Sequence, residues 1–408
     1  MLRYIYNSGT KVFRDTFVIN PRQTGVVMVN IDEIISHYRK RFSAPAECRF
    51  FGHCGGCSLQ DIPYLKQLEL KREFLQSLFK EHLTGELSDF ELVKSSPFHY
   101  RNRMDFVCAF GKVGLREAGN YRKVVDISSC PLMQHTADEV FKRLRELIID
   151  NIEDYDYLRH HGYLRYIVLR QTGFTDQLMV NFIVARKENL LKEVVKKIKD
   201  RADSINLILN ERRAEVSSGE VFETVNSESI EEAFENIKLR INHNSFLQPN
   251  SEVSLKLYQR IKDEVYGDLL DLYCGAGGIS LFVADRVRSV MGVELSEDSL
   301  TMAAQNKMIN NIGNVDFFLA DVKKFLANPP KREFDMVIVD PPRAGLTPKI
   351  IKRLLELECP KIIYVSCNPL SLKRDLDELS GYRLKSFQAF DMFPQTKYVE
   401  TLAILEKA

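Results

Sequence analysis

The chain has 408 residues, 45% hydrophobic and 28% charged, enough for two or three domains with full cores. No apolar run approaches the roughly 18 residues of a membrane span. The start, Met1-Leu2-Arg3-Tyr4-Ile5-Tyr6, lacks a long apolar signal core and a small-residue cleavage site, so a cytoplasmic protein is expected. The net charge of +1 does not advertise nucleic-acid binding, although residues 1–130 carry 19 Lys and Arg against 14 Asp and Glu.

Residues 1–47 form an N-terminal extension in which 11–24 mixes β-branched and polar residues and 31–41 predicts a short helix. Then comes Cys48-x5-Cys54-x2-Cys57, with a tight Cys-Gly-Gly-Cys pair, and much later Cys130-Pro131. Thiolates at this spacing chelate a metal, and from the residues alone zinc and a 4Fe–4S iron–sulfur cluster are both open. Apolar residues at 65, 68, 75, 78 and 79 have a helical period. Strands are predicted at 100–110, 113–115 and 124–127, a helix at 137–149, strands at 164–171 and 177–185 joined as a hairpin, a helix at 190–199 and a strand at 205–210. Residues 48–238 therefore read as a central α+β domain. Its interleaved Phe98-His99-Tyr100-Arg101-Asn102-Arg103 suits base stacking and phosphate contact, and Arg159-His160-His161, Arg165 and Arg170 are further cationic candidates.

From about residue 239 the pattern becomes α/β. A helix at 250–265 precedes strand 268–273, helix 278–287, strand 289–294, helix 298–311, strand 315–319, helix 321–327, strand 335–339, helix 347–356, strand 361–366 and helix 370–378. Strands at 383–390 and 399–406 close the chain. This alternation predicts a parallel sheet with crossover helices over 239–408.

Three features of that sheet carry chemistry. The loop Cys274-Gly275-Ala276-Gly277-Gly278 follows a strand and opens a helix, as nucleotide-binding turns do. Glu294, ending the next strand, suits a ribose, and Asp321 suits an adenine amino group; the region lacks the third glycine of a dinucleotide fingerprint, which favours S-adenosylmethionine. Asp340-Pro341-Pro342-Arg343 presents a carboxylate at the sheet edge; Arg343 in place of an aromatic argues against amino-group methylation. Cys367, in Tyr364-Val-Ser-Cys-Asn-Pro369, lies just past a strand, where open α/β sheets bind ligands, and reads as a nucleophile. Cys108 and Cys359 read as structural. Glu400, opening the last strand, is open to two readings, a merely solvated acid or the general base that such chemistry requires.

With these residues assembled, the chain resembles the RNA uracil-5 methyltransferase family over residues 48–408. The carrying motifs are Cys48-x5-Cys54-Gly-Gly-Cys57, Tyr100-Arg101-Asn102, Ser245-Phe-Leu-Gln-Pro-Asn250, Asp271-Leu-Tyr-Cys-Gly275, Asp340-Pro-Pro-Arg343, Ser366-Cys-Asn-Pro369 and Asp391-Met-Phe-Pro394 followed by Val399-Glu400. The resemblance implies a Rossmann-like class I S-adenosylmethionine-dependent methyltransferase domain. It implies a 4Fe–4S cluster on Cys48, Cys54, Cys57 and Cys130, and cofactor contacts from Gln248, Tyr273, Gly278, Glu294, Asp321 and Asp340. It makes Cys367 the nucleophile and Glu400 the proton acceptor, acting on a uridine flipped into the pocket beside Phe246. The expected substrate is ribosomal RNA, with transfer RNA the alternative, and a monomer with no membrane partner is expected. A non-catalytic RNA-binding shell would have lost Cys367 or Glu400, and both are present. Two departures stand out: 47 residues precede Cys48 where many members carry a β-barrel domain, and Gln395 stands where the family usually has histidine.

Overall fold

The computed structural model describes residues 29–408, so the mixed stretch at 11–24 lies outside the described residues. Two large sheets organise the chain.

The C-terminal sheet has eight strands, in the order Leu92–Val93, Tyr382–Phe390, Glu400–Lys407, Lys361–Ser366, Met336–Val339, Asp268–Leu272, Ser289–Glu294, Val315–Leu319. The last five in this order run parallel, and Glu400–Lys407 turns antiparallel against Lys361–Ser366. Both faces of the central strands are covered, so Met336–Val339 and Lys361–Ser366 are near-continuous apolar runs rather than alternating ones. Asp268–Leu272 is flanked by strands wound in opposite directions. The crevice at its carboxyl end is therefore a topological switch point. Side-chain caps start four helices of this half: Asn250, Ser296, Thr347 and Asn368 each accept a backbone N–H of the first turn.

Part of this sheet's cover comes from far upstream. Phe74, Leu75 and Phe79, on and just after helix Tyr64–Leu78, share one core with Phe90, Leu376 and Phe387. Leu92–Val93 then pairs parallel to Tyr382–Phe390 as the edge strand.

The central sheet has seven strands, in the order Glu220–Asn226, Ser204–Leu209, Leu178–Val184, Leu164–Gln171, Arg103–Ala109, Lys112–Glu117, Asn120–Asp126. Helices His135–Ile148 and Lys192–Ile198 cover one face through Phe141, Leu144 and Ile198. The hairpin expected around 172–176 is present. Elements without a sequence counterpart include edge strand Glu220–Asn226, and hairpin Ile230–Phe234 with Ile237–Ile241. The helix expected at 278–287 is regular only over Gly278–Phe282 and then tightens into a 3₁₀ turn at Ala284–Arg286.

Candidate active site

The switch-point crevice is built by the turn after Asp268–Leu272. Tyr273, Gly275 and Gly277 all have positive φ, at 67°, 55° and 82°. A Cβ on Gly277 would stand 2.8 Å from the Phe317 ring, and one on Gly278 would stand 2.8 Å from the Tyr258 hydroxyl. Side chains are therefore excluded at both positions. Asn306 ties the turn to the 230–241 hairpin: its amide donates to the carbonyls of Ala276 (3.2 Å) and Arg240 (3.3 Å), and its oxygen accepts the Arg240 N–H at 2.7 Å.

Gln248, Tyr273, Gly278 and Asp340 line this cleft, with Phe246 at 66% exposure among its walls. Gln248 Nε2 donates to Asp340 Oδ2 at 3.3 Å. Glu294 holds the glycine turn and the two residues that follow it through both carboxyl oxygens. One of its oxygens accepts the Gly275 N–H at 3.2 Å and the other accepts the N–H groups of Leu295 and Ser296 at 2.7 and 2.8 Å. Asp321 caps helix Val322–Phe325 by accepting the Lys324 N–H at 3.0 Å, and its charge reaches the Tyr273 phenol. Burial pushes the carboxyls of Asp271 and Asp340 up to about 7, and Asp340 additionally feels Asp271. A cleft with carboxylates held this way favours a cationic ligand, because positive charge would let both groups ionise.

Cys367 follows strand Lys361–Ser366 directly, and Asn368 caps the next helix. The pairing of Ser366 with Thr401, reinforced by Thr401 Oγ1 donating to the Ser366 carbonyl at 3.0 Å, puts Glu400 across the ladder from Cys367. Glu400 is 1% exposed, and neither carboxyl oxygen has a hydrogen-bond partner among the described residues. Burial pushes its pKa far up, Asp340 adds to this and Arg343 opposes it. Burial, then Glu400 and Asp340, push the Cys367 thiol up to about 12, again against Arg343. Arg343 thus belongs to the site, although its sequence context marked it only as a missing aromatic. Its guanidinium stacks 4.5 Å from the Tyr398 ring centre and its carbonyl accepts the Asn368 side-chain amide at 2.8 Å. The 230–241 hairpin, whose Leu239, Arg240 and Ile241 also line the cleft, escaped notice too. Its signal was the alternation of Ile237, Leu239 and Ile241 with Lys238 and Arg240.

The cysteine set is less sharply defined. Among the described residues no group of three or more His, Cys, Asp or Glu has the arrangement of a metal site, so the expected iron–sulfur site is not assembled in the side-chain geometry. The thiols are nevertheless neighbours. Burial raises Cys54, Cys57 and Cys130, Cys48 adds to the first two, and Cys54 and Cys57 add to Cys130. Arg101 opposes all three shifts. The Gly56 N–H approaches Cys54 Sγ at 3.4 Å, and Gln60 Nε2 approaches Cys57 Sγ at 3.1 Å.

Four of the expected RNA contacts, Tyr100, Asn102, Arg165 and Arg170, are structural instead. Tyr100 and Asn102 are buried. Asn102 joins the sheets, donating to the Gln248 carbonyl at 2.7 Å while its backbone N–H bonds the Pro249 carbonyl at 3.0 Å. Arg165 is fully buried and donates to the carbonyls of Asn210, Arg212 and Ala214 at 2.6 to 2.8 Å. Arg170 donates to the Asn242 carbonyl at 2.6 Å. Arg159, His160 and His161 remain exposed. Among the described residues no helix is long and apolar enough to cross a membrane.

A sequence profile of the tRNA (Uracil-5-)-methyltransferase family matches residues 63–408. The tRNA (uracil(54)-C(5))-methyltransferase of Pyrococcus furiosus is 35% identical over 382 residues, 92% of this chain and 89% of that protein. Its counterpart in Pyrococcus horikoshii is 38% identical over 363 residues, 88% of this chain and 85% of that protein. The crystal structure of the Pyrococcus abyssi tRNA (uracil-54, C5)-methyltransferase in complex with S-adenosyl-L-homocysteine aligns with a TM-score of 0.75 at 35% identity, covering 86% of this chain and 85% of that one. That likeness agrees with a Rossmann-like class I methyltransferase sheet and with a cleft for S-adenosylmethionine. The chain belongs to the tRNA (uracil-5-)-methyltransferase family and is an RNA uracil-C5 methyltransferase.

Proposed function

We propose that this protein methylates carbon 5 of a uridine in the T-loop of transfer RNA, position 54, through a covalent adduct on Cys367. The observation that carries the chemistry is the ladder register that sets the Glu400 carboxyl against the Cys367 thiol beside the cleft. The ribosomal RNA favoured by the sequence reading yields to transfer RNA as the substrate, because the similar Pyrococcus proteins are named for transfer RNA. In this reading residues 239–408, joined by the helix and edge strand at 64–93, do the chemistry, and residues 48–238 present the RNA.

Gln248, Tyr273, Gly278, Glu294, Asp321 and Asp340 would hold S-adenosylmethionine, directly or through the glycine turn. When bound, it supplies an electrophilic methyl group on a sulfonium. Carbon 5 of uracil is too weak a nucleophile to take that methyl unaided. Cys367 adds to carbon 6 and makes the ring an enolate, so that carbon 5 becomes nucleophilic. Glu400 then accepts the carbon-5 proton, the C5–H electron pair restores the C5=C6 double bond, and the C6–S electrons leave with the thiolate. Burial raises the proton affinity of both thiol and carboxyl, and Arg343 is the cation placed to favour their charged forms. Phe246, exposed at the cleft, is available to stack on a flipped base.

The same reading assigns a 4Fe–4S cluster to Cys48, Cys54, Cys57 and Cys130. The donor chemistry fits: four soft thiols near one another, three of them half-buried, with an amide hydrogen bond to each of two sulfurs and a guanidinium nearby. Anaerobically purified protein is expected to be brown, with about four irons per chain. Colourless protein with stoichiometric zinc would overturn that assignment.

The substrate is tested by incubating enzyme and labelled methyl donor with unmodified transfer RNA and ribosomal RNA. A single 5-methyluridine in the transfer RNA T-loop is expected. Methylation confined to ribosomal RNA would overturn the substrate, and 5-methylcytidine would overturn the chemistry.

A further inference from the structure

Glu400 makes no side-chain hydrogen bond of its own, so the backbone on either side must place it. On the C-terminal side the Ser366–Thr401 pair does so. On the N-terminal side lies the loop at 391–399, which is anchored from residues more than three hundred positions upstream.

Gln67, buried on helix Tyr64–Leu78, forms a reciprocal pair with Gln395. Its Nε2 donates to Gln395 Oε1 at 2.8 Å, and its Oε1 accepts the Gln395 N–H at 3.1 Å. One turn later Lys71, fully buried, donates to Asp391 Oδ1 at 2.5 Å and to the Phe393 carbonyl at 3.2 Å. Gln395 sits at φ +66°, and its carbonyl accepts the N–H groups of Ser58 and Leu59, which directly follow Cys57. Tyr100 Oη holds the Pro394 carbonyl at 3.0 Å. Every one of these partners lies outside the residues that line the cofactor cleft.

We propose that Gln67, Lys71 and Gln395 form a latch that positions Glu400, and that this latch couples the cysteine loop to the proton-abstraction step. The inference rests on the reading of Glu400 as proton acceptor. They are positioning residues: none touches the reacting atoms. Thiol addition and methyl capture depend on Cys367 and the cleft, which other elements hold. Loosening the latch therefore slows one step, in which the carbon-5 proton passes to Glu400 and the C6–S bond breaks. The methylated covalent protein–RNA complex must then accumulate.

The test uses the full chain with unmodified transfer RNA and methyl donor, read by denaturing gel and by turnover. Gln67→Leu removes both halves of the amide pair. Turnover is expected to fall about tenfold or more, as for a displaced general base, while the enzyme fraction trapped as covalent complex rises several-fold. Gln395→Asn keeps an amide with shorter reach and is run beside it in case Gln67→Leu does not fold; it is expected to show the same accumulation to a smaller degree. Unchanged turnover, or turnover lost without accumulation, overturns the latch. A parallel arm gives wild type a 5-fluorouridine transfer RNA. No adduct there would refute the proposed function itself, whereas an adduct there without accumulation in the variants would refute only the latch.

Discussion

Two buried glutamates show how differently the two halves of the molecule use burial. Glu232, on the hairpin between the sheets, is 0% exposed and receives four donors: the N–H groups of Gly173, Phe174 and Ala233 and the Ser251 hydroxyl, at 2.6 to 3.1 Å. Glu400, at the start of the last strand, is just as buried and receives none. A buried carboxylate with a full set of donors is a joint; one left without partners costs stability and marks a place where a partner arrives during the reaction. Asn102, Arg165 and Arg170 sort with Glu232, each bonded to backbone carbonyls. Cys367 sorts with Glu400, its proton affinity raised by burial and then by Glu400 and Asp340.

The largest effect that would break this division is at the thiol. Cys367→Ala is expected to abolish methyl transfer while leaving the thermal midpoint within a few degrees of wild type. Measurable turnover would remove the nucleophile from the account. Next comes the glutamate pair itself. Glu400→Gln should lower turnover roughly 10²–10⁴-fold and leave stability near wild type, because the replaced carboxyl makes no hydrogen bond that the amide could lose. Glu232→Gln should do the reverse, costing about 2–3 kcal/mol in denaturant unfolding by leaving buried N–H groups without a full acceptor, with turnover per folded molecule near wild type. Equal behaviour of the two variants would erase the distinction.

The smallest effect sharpens it through pH. Asp340 holds its proton up to about 7, well above an ordinary aspartate. The folded chain therefore binds that proton more tightly than the unfolded chain, and the associated stability is complete below about pH 4 and lost as pH rises through 7. Thermal melts of cofactor-free protein at pH 5 and pH 8 should show wild type losing more than Asp340→Asn. A variant that loses as much as wild type would contradict the burial argument.

The catalytic sheet was largely legible because its strands are buried on both faces. Ser289–Glu294, Val315–Leu319 and Lys361–Ser366 have the expected bounds, and the motif residues fall at their carboxyl ends. The hairpin at 230–241 was hidden by its three glutamates, at 231, 232 and 235. Tyr100 and Asn102 looked like RNA contacts because alternation along a strand cannot separate a face turned to solvent from one pressed against another sheet. Arg343 carries no local sign of its place, which depends on Tyr398 and Asn368. The Gln67–Gln395 pair spans 328 positions and leaves no periodic trace at all.

The most direct measurement concerns the bond between sulfur and ring. Transfer RNA with 5-fluorouridine at the target cannot release the carbon-5 substituent as a proton, so the reaction should stop at the adduct. Wild-type enzyme with methyl donor is predicted to give a one-to-one complex that survives denaturation, its nucleotide mapped by peptide mass to Cys367. No complex, or one that persists in Cys367→Ala, would contradict the account.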